Sequence, residues 1–112
     1  MVTEGFYRFV YGGSAGSGIG LVALHGGNIT GIDGGGGQYD GSYSAADDGV
    51  TIHLDVTVPA NMPLVTGERA RAEPWILNIN AKLPSNFGNG MPFNVRTPYG
   101  PINVSFALLR RL

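Results

Sequence analysis

The 112-residue chain is long enough for one domain but too short for a second full core, so residues 1–112 are predicted to form a single domain. Apolar residues make up 43% of the chain, charged residues only 13%, and the net charge of −1 argues against direct nucleic-acid binding. The chain has no cysteine, which excludes disulfides and thiolate metal sites.

Eight short strands separated by glycine-rich and asparagine-rich turns are predicted in chain order. The clearest is residues 50–58, where aliphatic and polar residues alternate with the period of a half-buried strand. Because most connections are short, consecutive strands should pair as antiparallel neighbours and close into an all-β, up-and-down barrel. The predicted strands are 4–11, 18–25, 28–33, 38–45, 50–58, 74–83, 89–96 and 102–110.

The connection near residues 59–74 breaks the pattern. It carries three prolines and two arginines and shows no alternation, so it is predicted to cross one end of the barrel. A short helical turn over residues 67–72 is the one helical element that this stretch suggests.

Alternation also predicts which side chains face inward. Tyr7, Phe9 and Tyr11 share one face of the first strand, so we expect them inside. The opposite face is apolar on the first, second and last strands, which suggests a homodimer interface or a partner surface. The candidate interface residues are Phe6, Val10, Val22, Leu24 and Leu109.

Aromatic side chains are the best candidates for contacting a small apolar ligand, because their polar tips can orient it. They are Tyr7, Tyr11, Tyr39, Tyr43 and Trp75. An eight-stranded barrel is either filled by side chains or just wide enough for one small ligand, and the sequence leaves both alternatives open.

The sequence shows no catalytic constellation. Residues 12–20 are glycine-rich, but no helix is predicted to follow them, so a phosphate-binding loop is not expected. The two histidines, His25 and His53, lack neighbouring ligands, and no metal site or cofactor is predicted. We expect a protein that is not an enzyme.

Asp47 and Asp48 are candidates for partner binding, although their position also fits an ordinary turn.

The chain opens without the basic flank and apolar run of a secretory signal, and no stretch approaches the ~20 apolar residues of a membrane-spanning helix. We therefore expect a cytoplasmic location and no membrane partner.

Four blocks of the chain, in this order and spacing, resemble the GrlR-like family, which is the family of the negative regulator of type III secretion. They are residues 4–9 (EGFYRF), 20–33 (GLVALHGGNITGID), 39–43 (YDGSY) and 102–110 (INVSFALLR). The resemblance implies a lipocalin-like eight-stranded barrel that tends to dimerise.

The resemblance also implies a function. In the secretion regulator the barrel binds and silences a transcriptional activator, and the turn before its fifth strand is strongly acidic. The matching turn here carries Asp47 and Asp48 after two alanines. The sequence therefore favours a regulatory barrel that binds a protein partner, with a barrel that binds a small apolar or aromatic ligand as the alternative.

Overall fold

The computed structural model describes residues 2–112, and this range contains eight β-strands and no helix. The strands are β1 (Gly5–Gly13), β2 (Gly16–His25), β3 (Asn28–Asp33), β4 (Gln38–Ala46), β5 (Gly49–Val58), β6 (Trp75–Leu83), β7 (Phe93–Thr97) and β8 (Gly100–Arg111). No helix within residues 2–112 has the length and apolar character needed to cross a membrane.

All eight strands belong to one antiparallel sheet with the order β6-β5-β4-β3-β2-β1-β8-β7. The sheet curls into a nearly closed barrel whose two edge strands, β6 and β7, approach each other. The predicted fold class is confirmed: neighbours in the chain are neighbours in the sheet, apart from β1 pairing with β8 and the junction between β6 and β7.

Tight turns fix the register of the hairpins. Gly26 and Gly27 join β2 to β3 with φ values of 59° and 83°, the left-handed conformation that a two-residue hairpin turn requires and that glycine adopts without strain. Asp47 and Asp48 occupy the predicted turn between β4 and β5.

The connection between β5 and β6 crosses the end of the barrel at which β1 ends and β2 begins. We call residues 59–74 the lid. The amide of Ala15 donates to the carbonyl of Val65 over 2.7 Å, which ties the lid to the β1–β2 turn. The prediction that this connection covers one end is confirmed, but residues 67–72 contain no helical turn. With three prolines the lid follows an irregular path instead.

The opposite end is closed by the segment between β6 and β7. Phe87 is buried there and stacks on Tyr7 with ring centroids 5.3 Å apart. Because this segment turns inward to bury Phe87, β7 begins at Phe93 rather than at the predicted residue 89.

The predicted outward orientation of Val22 and Leu24 is wrong. They are 4% and 3% exposed and belong to the core. Val22 lies directly opposite Tyr7 in the β1–β2 register, and directly paired residues share one face of a sheet. Because Tyr7 points inward, Val22 must do so as well, and Leu24 follows two residues later.

Candidate functional site

The barrel contains a cavity of about 510 Å³ that is partly open to the surface, and this volume is typical of small-molecule sites. Its wall is mainly aliphatic and aromatic, with side chains from β1, β2, β5, β6 and β8, and the lid contributes Met62, Leu64 and Val65. The interior therefore holds a cluster of buried core side chains and, beside it, space that these side chains do not fill.

One carboxylate interrupts this apolar wall near the lid. Asp33, the last residue of β3, is the only charged residue lining the cavity within residues 2–112. Its Oδ2 accepts hydrogen bonds from the hydroxyl of Tyr39 over 2.7 Å and from that of Tyr11 over 3.1 Å. We call Asp33, Tyr11 and Tyr39 the polar cluster.

Local sequence positions the carboxylate of Asp33. Its Oδ1 accepts from the amide of Gly35 over 3.0 Å and from that of Gly37 over 2.8 Å, so the side chain caps the glycine turn that follows it. Asp33 was not among the site residues predicted from the sequence. An aspartate directly before four glycines signals such a turn, but only the fold brings Tyr11 to it.

Burial makes the two tyrosines of the polar cluster hard to ionise. Loss of solvent around the phenol raises the pKa of Tyr11 to about 12, and the negative charge of Asp33 acts in the same direction. Burial also raises the pKa of Tyr39, and its hydrogen bond to Asp33 acts in the same direction. Both hydroxyls therefore stay protonated at neutral pH and remain available to donate to the carboxylate.

The raised pKa values predict a loss of stability in base. A tyrosine whose pKa is higher in the folded state stabilises the fold below the ordinary value of 10.0, and this contribution is lost as the pH rises through the folded value. We expect the free energy of unfolding in urea to fall between pH 10 and 12, and to fall less steeply in Tyr11→Phe. Equal slopes for the two proteins would contradict this explanation.

The five aromatic ligand candidates do not form one site. Tyr11 and Tyr39 line the cavity, whereas Tyr7 and Tyr43 are absent from its wall.

Tyr7 and Tyr43 lie at the end of the barrel opposite the lid. Tyr7 packs on Phe87 there and donates its hydroxyl to the carbonyl of Thr3. Tyr43 is half-buried, and its hydroxyl lies 3.5 Å from Oε2 of Glu4. These two tyrosines therefore stabilise the end of the barrel opposite the lid.

Trp75 also lies outside the cavity wall, at the start of β6. The guanidinium carbon of Arg71 lies 3.7 Å from the Trp75 ring centroid, and Arg71 donates to the hydroxyl of Tyr99 over 3.0 Å. This cation–π contact joins the lid to β6 and to the β7–β8 turn. Trp75 thus holds the lid against β6 through its contact with Arg71.

In the acidic turn of Asp47 and Asp48, one of the two negative charges is paired with a lysine. Asp47 and Asp48 are both exposed, but Asp48 forms an ion pair with Lys82 of β6. The hydrogen bond and the charge of Lys82 hold the pKa of Asp48 below its usual range. Asp47 is therefore the more available carboxylate for a partner.

The histidines lie apart from the cavity. His25 is exposed at the end of β2, 3.5 Å from Glu4, and His53 contacts Asn80 on the outer face of β5. Within residues 2–112, no group of three histidine, aspartate or glutamate side chains is arranged to hold a metal ion.

Apolar side chains form a continuous patch on the outer face of β1–β3. Val10 pairs directly with Ile19, and Leu21 pairs directly with Ile32. Ile19 and Ile32 are 52% and 60% exposed. We call these four residues the outer patch; Phe6 and Leu109 are also exposed, as predicted. On β2 the outward-facing residues are Ile19 and Leu21, not the predicted Val22 and Leu24.

No protein-family model matches the chain, and no curated protein matches it significantly.

Proposed function

We propose that the protein is a non-enzymatic barrel that binds one small, largely apolar molecule. The observation that carries this proposal is the cavity of about 510 Å³ with a mainly apolar wall. Closely packed interiors are the norm in proteins, because an empty apolar space forfeits contacts on every side. A ligand in the cavity would restore those contacts.

The proposal predicts that filling the cavity abolishes binding. Val56 and Val104 are buried in its wall, so Val56→Phe combined with Val104→Phe would occupy the space that a ligand needs. We expect the affinity for the apolar fluorophore N-phenyl-1-naphthylamine, measured by fluorescence titration, to fall by at least about tenfold. The melting temperature should not fall, because the new rings enter empty space.

Thr51→Phe is the matched control. Thr51 lies on the same strand as Val56 but alternates with it, so the added ring would stand on the outer face. This variant should bind the fluorophore like the wild type. If the cavity-filled variant also bound it with wild-type affinity, the probe would be bound elsewhere and the proposal would fail.

A second candidate is a cytoplasmic regulatory barrel of the GrlR-like type that dimerises and binds a protein partner such as a transcriptional activator. The resemblance of the four sequence blocks supports it, and so does the outer patch, because exposed contiguous apolar surface marks association sites. The absence of cysteine fits a reducing compartment. Asp47 and Asp48 remain the candidate partner contacts in this alternative.

The outer patch predicts a specific effect on self-association. Leu21→Lys combined with Ile32→Lys would place two charges at its centre, so we expect a dimer to become a monomer by light scattering after size exclusion. Ile76→Lys is the control, because Ile76 is 58% exposed on β6. A wild-type protein that is monomeric at all concentrations would rule out the homodimer.

A further inference from the structure

We infer that the ligand carries a hydrogen-bond donor, an amine or a hydroxyl, at one end of an apolar body, and that this group sits at the polar cluster. This inference rests on the proposed function and adds the chemical class of the molecule. It follows from the hydrogen bonds of the cluster, in which both tyrosine hydroxyls donate to Asp33.

The protons of the cluster are already committed. A carboxylate only accepts hydrogen bonds, and Asp33 receives four: two from backbone amides and two from the hydroxyls of Tyr11 and Tyr39. Each tyrosine hydroxyl has one proton, and that proton points at Asp33. The phenol oxygens can then only accept a hydrogen bond from a ligand.

The charge distribution points the same way. Asp33 is negative, and within residues 2–112 no lysine, arginine or histidine lines the cavity. Arg71 of the lid contacts Trp75, Tyr99 and Glu68 instead of the cavity. A ligand carboxylate at the cluster would face a like charge and acceptor atoms in a largely apolar environment, where such repulsion is strong.

The lid contributes a further polar group to the cavity wall, the hydroxyl of Thr66. Thr66 lines the cavity, and its hydroxyl is buried without a hydrogen-bond partner inside the described range 2–112. A buried hydroxyl normally finds a partner, because leaving it unpaired is costly. A ligand hydroxyl or amine can satisfy Thr66 as donor or acceptor, which fits a polar head at this end of the cavity.

The test uses three probes with the same ten-carbon chain: decylamine, decanol and decanoate. Each would displace N-phenyl-1-naphthylamine from the wild-type protein in a fluorescence competition. We expect decylamine to displace it at concentrations at least about tenfold below those of decanoate, with decanol between them, because only the charge and the donor differ. In Asp33→Asn, which keeps the side chain's shape but removes its charge, the preference for decylamine over decanoate should shrink to about threefold or less.

The outcomes separate the two proposals. If decanoate displaces the fluorophore as well as decylamine does, the inferred head group is wrong while the apolar cavity still binds ligands. If none of the three displaces it, the head-group inference fails, and if the cavity-filled variant also still binds the fluorophore, the proposed function fails as well. The wild-type comparison decides the inference even if Asp33→Asn does not fold.

Discussion

Asp33→Ala should lower the free energy of unfolding by about 2 to 3 kcal/mol. The substitution removes one acceptor group but leaves four donors behind: the hydroxyls of Tyr11 and Tyr39, and the amides of Gly35 and Gly37. Donors left unpaired in a partly buried site each cost about 1 kcal/mol or more, and water entering the cavity offsets some of this. The melting temperature should fall by roughly 10 °C for a chain of this size.

Urea denaturation of three variants tests this effect. Asp33→Asn should lose only about 1 kcal/mol, because its carbonyl oxygen can still accept from the glycine turn. Asp40→Ala is the control, since Asp40 is exposed on β4, and it should stay within about 0.5 kcal/mol of the wild type. An Asp33→Ala variant as stable as Asp40→Ala would show that the polar cluster does not hold β1, β3 and β4 together.

Gly20→Ala is the second substitution with a large expected effect, a loss of about 2 to 3 kcal/mol. A Cβ atom at Gly20 would lie 2.5 Å from the Phe9 ring and 2.5 Å from the carbonyl oxygen of Ile32. Gly20 is paired directly with Phe9, whose ring covers the missing side chain. The ring can move, but the carbonyl belongs to the neighbouring strand and can move only by distorting the sheet.

Gly12→Ala is the matched control for this clash. Gly12 lies on the neighbouring strand β1, and the nearest atom to an added Cβ there is 3.7 Å away, which is ordinary contact. We expect Gly12→Ala to stay within about 0.5 kcal/mol of the wild type. The double variant Gly20→Ala/Phe9→Leu should be more stable than Gly20→Ala but less stable than the wild type, because the clash with the Ile32 carbonyl remains when the Phe9 ring is removed. If Gly20→Ala were as stable as Gly12→Ala, the close approach of the Phe9 ring and the Ile32 carbonyl to Gly20 would be contradicted.

The strands and turns of this fold were predictable from local sequence. Residues 50–58 alternate so regularly that β5 and its buried face followed from periodicity, and the glycine turns located the hairpins. The orientation of β2 was not predictable in this way, because residues 19–24 are apolar on both faces. Its inner face also carries Gly18 and Gly20, which are opposite the rings of Tyr11 and Phe9. Only the pairing of β2 with β1 decides which face is buried.

The candidate site was predictable only in part. Tyr11 and Tyr39 were selected as aromatic residues of the inner face, and they do line the cavity. Asp33 was missed because its importance depends on Tyr11, which is 22 positions away in the chain and reaches it only through the β1–β2–β3 register. The emptiness of the interior has no sequence signal, since it depends on how widely the sheet curls and where the lid lies.

Native mass spectrometry tests the central claim most directly. The protein would be purified from its natural host without denaturation and measured beside a denatured sample and the cavity-filled variant. We predict a mass excess on the wild-type protein that disappears on denaturation and is absent from the variant, with the released compound bearing an amine or a hydroxyl. A wild-type protein that shows only the bare mass of the polypeptide under gentle conditions would contradict the claim that the hollow barrel holds a small apolar molecule.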